Sequence, residues 1–193
     1  MQDTLQAIDK PPKPLLIGIT GRAGAGKSTV ARMLEDRFVF VEMALADPIV
    51  NMIGSLFADC DIDGAWAIER SLKELPTRLG YSYRQLAQTL GTEWGRHLSP
   101  DFWLRVLALR LREPHIEVQN VVISDVRFPN EADFVKARGG VMVRVLREQP
   151  TTARHHASEV HTDMLSVDTE LLNFGSQATL LDQVERLVQK LRT

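Results

Sequence analysis

The segment Gly21-Arg22-Ala23-Gly24-Ala25-Gly26-Lys27-Ser28 fits G-x-x-x-x-G-K-[ST] at every position, and no other feature constrains the chain as tightly. Ahead of it, Leu15-Leu16-Ile17-Gly18-Ile19-Thr20 is an almost continuous apolar run, which predicts a short strand buried on both faces. Behind it, Val30, Met33, Leu34 and Phe38 share one face of a predicted helix that starts at Lys27. A glycine-rich turn between strand and helix lets successive backbone N–H groups close around a phosphate. The helix adds the unpaired amides and positive dipole end of its N-terminus. In such a loop Lys27 reaches the β- and γ-phosphates, and Ser28 offers its hydroxyl oxygen to Mg²⁺. The motif fixes only the phosphate-donor side, because kinases, GTPases, ATPases and transporters share it.

The rest of the chain alternates strand and helix signals. A second strand is predicted over Phe38–Met43, and Asp47-Pro48 opens a helix running to about Phe57. The stretch from Asp59 to Gly80 reads as loop with a short helix at Ala65–Leu72. Ser82 and Gln85 form a capping box that starts a helix carrying Leu86, Leu90 and Trp94 at spacing four. Ser99-Pro100-Asp101 restarts a helix through Arg112. Val121-Val122-Ile123 is a buried strand, Pro129 sits at the first turn of a helix, and Gly139-Gly140 stops it. Val141–Leu146 is the next strand. Leu171-Leu172 ends a last one at Asn173, and Ser176 caps a final helix with Leu180, Val184, Leu187 and Leu191 on one stripe. The alternation predicts an α/β fold, a parallel sheet with helices on both faces. The expected organisation is a single domain over residues 1–193. It has a flexible arm at 1–14, a helical substrate-facing insertion at about 44–120, and a closing loop at about 147–160.

Composition removes several alternatives. Hydrophobic residues make up 44% and charged residues 25%, so the chain can bury a core and disorder is excluded as a description of the whole. Cys60 is the single cysteine, which excludes a disulfide framework and any multi-cysteine metal site, and leaves it the role of a small apolar residue. The formal net charge of -2 gives no support for binding a nucleic acid polymer. Arginine far outnumbers lysine, which suits forked contacts to phosphate. No stretch approaches the roughly 18 uninterrupted apolar residues of a membrane span, and the expected compartment is the cytoplasm.

Further candidate residues lie at predicted strand ends, the edge where open α/β sheets bind ligands. Asp125 closes the strand at Ile123 and suits the Mg²⁺ side of a phosphate site, or else caps the helix that follows. Arg127, two residues on, suits a place where two phosphate groups meet, or else makes a surface ion pair. Asp47 either positions an acceptor or caps its helix. Arg144, Arg147, Arg154, His155 and His156 flank a polar loop able to close over transferring phosphates, or simply solvated. His155, His156, Glu159 and His161 lack the spacing of a tetrahedral zinc set. Trp94, Phe102 and Trp103 either stack a base or form core.

Larger blocks carry a family likeness. Ile123-Ser124-Asp125-Val126-Arg127-Phe128-Pro129-Asn130-Glu131-Ala132, and Arg84-Gln85-Leu86-Ala87-Gln88-Thr89-Leu90-Gly91-Thr92-Glu93-Trp94-Gly95-Arg96 with Asp101-Phe102-Trp103, resemble the deoxynucleoside monophosphate kinases of the tailed-phage type. Ala46-Asp47-Pro48 and His156-Ala157-Ser158-Glu159 resemble the same family. The resemblance implies the P-loop nucleotide kinase fold with a helical substrate-binding insertion, the use of ATP and Mg²⁺, and phosphoryl transfer to a deoxynucleoside monophosphate. It implies that Gly21 to Thr29 hold ATP. It further implies that Asp47, Arg84, Gln88, Gly91, Thr92, Arg96, Trp103, Asp125 and Arg127 face the monophosphate, with Arg147 and Arg154 from the closing loop. Many members carry Asp where this chain has Ser28. Leu171 to Ser176 resembles the adenine-side loop of dephospho-coenzyme A kinases, which implies that the backbone of Asn173 to Ser176, Gly175 included, contacts the adenine of ATP. Two alternatives stay open: a kinase acting on another small molecule, such as a coenzyme A precursor, and a non-catalytic nucleotide-binding module. The resemblance also suggests a homodimer.

Overall fold

Leu16–Thr20 forms strand β1, whose last four residues are buried. The computed structural model describes residues 13–69, 71–147 and 162–193. Most of the expected arm and closing loop, with Arg154, His155, His156, Glu159 and His161, lies outside the described residues. After β1 come helix α1 (Lys27–Phe38), β2 (Phe40–Met43), α2 (Asp47–Asp59), α3 (Ala65–Ile68), α4 (Tyr83–Gln88), a π-helical run (Thr89–Arg96) and α5 (Phe102–Arg110). Then follow α6 (Pro114–Glu117), β3 (Asn120–Ile123), α7 (Pro129–Ala137), β4 (Val141–Leu146), β5 (Thr169–Leu172) and α8 (Gln177–Arg192). The chain divides into two compact units, Met1–Glu42 with Arg112–Thr193, and Met43–Leu111.

In the first unit the strands lie in the order β2-β3-β1-β4-β5. β1 pairs in parallel with β3 on one side and β4 on the other, and β4 pairs in parallel with β5. The strand order therefore reverses direction at β1. A sheet of this kind opens a crevice beyond the carboxyl ends of its strands at such a switch point. Period-two alternation assigns the faces. Ile17 and Ile19 of β1, Val122 of β3, and Val143 and Val145 of β4 join Val30 and Leu34 of α1 and Leu180, Val184 and Val188 of α8 in one buried cluster. On the other face α7 packs on β1 and β4. The helices thus cover both faces, as the alternation predicts.

Local details depart from the expectation in physically clear ways. Phe38 belongs to α1 and not to the second strand. Val39 takes the left-handed conformation at φ 57° and ends the helix, and β2 begins at Phe40. The short helix expected over Ala65–Leu72 covers Ala65–Ile68. α6 was not expected, although Pro114 is well suited to its first turn. Cys60 is half-buried and its thiol is free. The capping box is present: Ser82 Oγ accepts the Gln85 N–H at 3.2 Å, and Gln85 Oε1 accepts the Ser82 N–H at 2.8 Å.

In the second unit, Ile49, Ile53 and Phe57 of α2 are buried, and Phe57 meets Tyr83 edge-on with ring centroids 6.3 Å apart. That burial pushes the Tyr83 hydroxyl above its usual pKa. The expected α-helix through Leu90 and Trp94 instead widens into the π-helical run. Trp103 accounts for this. Its Nε1–H donates to the Gly91 carbonyl at 2.8 Å, and its indole lies where any Cβ on Gly95 would stand. A side chain bonding into the helical ladder displaces the regular α pattern. Trp103 also stacks edge-on against Phe102, centroids 4.9 Å apart, and Trp94 leans on both.

Among the described residues no helix is long and apolar enough to cross a membrane. Leu180→Ala removes a side chain only 1% exposed, and urea unfolding is expected to show a loss of about 2–5 kcal/mol. Leu172→Ala, at a side chain 45% exposed, is expected to stay within about 0.5 kcal/mol. Equal losses would contradict this assignment of the core.

Candidate active site

The glycine-rich turn leaves β1 at the switch point and enters α1 through Gly26, the helix N-cap. Gly26 sits at φ 106°, where an L side chain is strained, and a Cβ would also overlap the Asn173 side chain. Gly26 itself has no side chain with which to cap α1. The first amides of a helix have no partners within it, so this end is electrostatically suited to an anion. Lys27 Nζ donates to the carbonyls of Gly21 at 2.7 Å and Arg22 at 2.9 Å, which holds the ammonium on the turn. Ser28 is the second residue of α1. Its hydroxyl, on the helix that follows β1, and the half-buried Asp125 just beyond β3, the strand paired with β1, are two oxygen donors. Mg²⁺ keeps most of its waters and needs few protein ligands, so this donor set fits it.

An open cleft of about 330 Å³ borders the turn, at the low end of the range for small-ligand sites. Gly21, Arg22, Ala25, Arg144, Arg147 and Asp163 line it. Arg147 is thus brought beside the phosphate turn. Arg22 Nε donates to both Asp163 oxygens, at 3.3 and 3.0 Å. Arg144 reaches Glu170 at 3.0 Å and the Asp163 carbonyl at 3.1 Å, tying that segment to the sheet. Asn173 follows β5. Its side-chain amide donates to the Ala25 carbonyl at 2.9 Å, a contact the sequence does not reveal. Gly175 lies exposed between β5 and α8.

Arg127 is exposed, and its backbone is fixed by a residue to which the sequence analysis gave no role. Buried Glu131 accepts the N–H of Arg127 at 2.7 Å and of Phe128 at 3.0 Å. Glu131, at the third position of α7, thereby ties down the two residues that lead into the helix. Pro129 at the first position of α7 with Glu131 two residues on is the signal that could have identified it.

Asp47, Arg84, Gln88, Gly91, Thr92, Arg96 and Trp103 all lie in the second unit. Asp47 is the first residue of α2. Its carboxylate accepts the Ala44 N–H at 2.8 Å and Arg110 Nη2 at 2.8 Å. Arg110 was not anticipated, because nothing local announces a partner so far along the chain. Gln88 and Thr92 are exposed on α4 and the π-helical run, and Arg84 pairs with Glu74. Trp103 is buried, with its N–H committed to Gly91, so its indole supports this surface from behind.

Glu131→Ala leaves two amides without their acceptor, and a loss of about 1–3 kcal/mol is expected on unfolding. Hydrogen exchange at the Arg127 and Phe128 amides is expected to speed up. Unchanged protection there would contradict the role given to Glu131.

The family described as deoxynucleotide monophosphate kinase matches residues 66–184 of this chain. A protein of Acanthamoeba polyphaga mimivirus named "Putative deoxynucleotide monophosphate kinase" is 35% identical over 177 residues, spanning 82% of this chain and 88% of that protein. The deoxynucleotide monophosphate kinase of Escherichia phage RB69 is 23% identical over 171 residues, spanning 84% and 68%. In fold, the chain is similar to the crystal structure of TT1252 from Thermus thermophilus, with a TM-score of 0.53 at 20% identity, covering 93% of this chain and 98% of that one. With its phosphate turn at the switch point of a parallel sheet and these relatives along most of its length, the chain belongs to the deoxynucleotide monophosphate kinase family.

Proposed function

We propose that this protein transfers the γ-phosphoryl group of ATP to deoxynucleoside 5′-monophosphates and releases the diphosphates. The observation that carries the reading is the helix N-terminus at Gly26-Lys27, whose N-cap is a glycine with no side chain to cap it, set behind a glycine-rich turn at the sheet's switch point. The bond between the γ-phosphorus and the β,γ-bridging oxygen breaks, and a bond to an oxygen of the acceptor's phosphate forms. That oxygen is already ionised, so the chain needs no strong base and acts by alignment and charge neutralisation.

Backbone amides from Gly21 to Thr29, with Arg22, Ala23, Gly24, Ala25 and Gly26 between, wrap the polyphosphate. Lys27 exchanges the Gly21 and Arg22 carbonyls for phosphate oxygens. Ser28 and Asp125 are the residues to hold Mg²⁺, which supplies charge neutralisation between the phosphates when bound. Arg127, on its backbone fixed by Glu131, is directed at the acceptor phosphate, and Arg147 and Arg154 are assigned to charge that develops during transfer. The backbone from Asn173 through Gly175 to Ser176 takes the adenine side. Asp47, held by Arg110, positions the acceptor, while Arg84, Gln88, Gly91, Thr92 and Arg96 recognise it. Trp103 serves that surface by shaping it. Two finer statements rest on family membership, a cytoplasmic location and a homodimer, the latter checked by light scattering of the purified protein.

A coupled assay with ATP and Mg²⁺ against the four deoxynucleoside monophosphates, their ribose counterparts and a coenzyme A precursor tests the reading. Turnover with at least one deoxynucleotide above the coenzyme A precursor is expected. ATP binding without transfer to any of them would leave a nucleotide-binding module instead. Lys27→Ala is expected to lower kcat by about 100-fold or more with an unchanged circular dichroism spectrum, and near-normal turnover would contradict its role. Arg127→Ala is expected to lower kcat/KM for the monophosphate more than for ATP. Equal losses would remove Arg127 from the acceptor side.

A further inference from the structure

Asn173 is held from two sides before its side chain makes any contact. Its backbone N–H donates to the Leu146 carbonyl at 2.7 Å, extending the β4–β5 ladder by one residue. The residue before it is clamped by Gln183 of α8. Gln183 Oε1 accepts the Leu172 N–H at 2.8 Å, and its Nε2 donates to the Leu172 carbonyl at 2.9 Å. The half-buried Asn173 side chain is thereby aimed at the phosphate turn, where Nδ2 donates to the Ala25 carbonyl at 2.9 Å.

That carbonyl belongs to the peptide joining Ala25 to Gly26. The described chain contains no cis peptide bond, and in a planar trans peptide the C=O and N–H point in opposite directions. Fixing the Ala25 oxygen toward β5 therefore fixes the Gly26 N–H away from it. The same amide group fills the space that a Cβ on Gly26 would need. Without the Asn173 donor this peptide has a partner only in water and a glycine next to it that resists rotation weakly.

We propose that Asn173 is a positioning residue for the phosphate turn, acting through the Ala25–Gly26 peptide to hold the Gly26 N–H in the direction that binds the polyphosphate. This deepens the kinase reading and rests on it in one respect, that the turn holds the phosphates of ATP. It differs from a contact with adenine in a measurable way. A residue that recognises the base cannot affect a ligand that has no base, whereas one that orients a loop amide affects every polyphosphate equally.

The experiment uses the full chain with Asn173→Ala and with Asn173→Leu, the latter keeping the volume and removing the donor. Binding of ATP and of inorganic tripolyphosphate, each with Mg²⁺, is measured by calorimetry, alongside KM for ATP and for the monophosphate and the thermal midpoint. In both variants ATP and tripolyphosphate are expected to weaken by the same factor, roughly three- to tenfold, the effect of one hydrogen bond. KM for the monophosphate is expected to stay within about twofold. Weakening of ATP with tripolyphosphate unchanged would overturn the proposal in favour of base recognition. So would wild-type affinity for both ligands, or a rise in monophosphate KM equal to that for ATP. Equal weakening of the two ligands in a wild-type background that transfers no phosphate to any acceptor would uphold the positioning role and refute the kinase reading alone. A wild-type chain that binds neither ligand would refute both.

Discussion

α1 begins at Gly26, a residue with no side chain to cap it, so the helix enters directly from the glycine-rich turn. A helix start normally recruits a Ser, Thr, Asp or Asn to take one of its unpaired amides, at a gain of about 1 kcal/mol. The two long helices near the ends of the first unit make the contrast within one molecule. α8 begins on Ser176, whose hydroxyl accepts the Thr179 N–H at 3.2 Å, while α1 begins on a glycine in the left-handed region. The forgone cap leaves amides and a dipole end directed at whatever anion occupies the turn. What the helix lacks in its own stabilisation it makes up by packing, since Val30 and Leu34 are fully buried against the sheet and α8.

The sheet then decides which side chains can reach that anion. Because β1 lies between β3 and β4, the turn leaving it is bordered by residues leaving both neighbours. From β3 come Asp125 and Arg127, with Glu131 gripping the backbone between strand and α7. From β4 come Arg144 and Arg147, on the cleft beside Arg22. β5, one strand further out, contributes Asn173 against the turn itself. Carboxylate, guanidinium and amide are thus gathered at one edge by strand order, although Asp125, the first of them in sequence, already lies 97 positions beyond Ser28 of the turn.

The parts of this arrangement that were legible in the sequence are those written in local patterns. The β1–turn–α1 unit, the capping box at Ser82, the cap at Ser176 and the parallel alternation all follow from spacing within a few residues. Less legible were features that depend on distant partners. Arg110 meets Asp47 across 63 positions, and Asn173 meets Ala25 across 148. The π-helical run escaped notice because its cause, the Trp103 N–H entering the ladder at Gly91, lies outside the segment it distorts. Spacing four through Leu86, Leu90 and Trp94 is a valid helical period, but it carries no information about a donor arriving from another helix.

Label transfer tests the central claim most directly. The protein is incubated with Mg²⁺ and ATP labelled at the γ-phosphate, together with a deoxynucleoside monophosphate, and the products are separated. The account predicts that the label leaves ATP and is recovered at the β-position of the deoxynucleoside diphosphate in equal amount with ADP. Label recovered as inorganic phosphate, or retained in ATP with every deoxynucleotide offered, would contradict it.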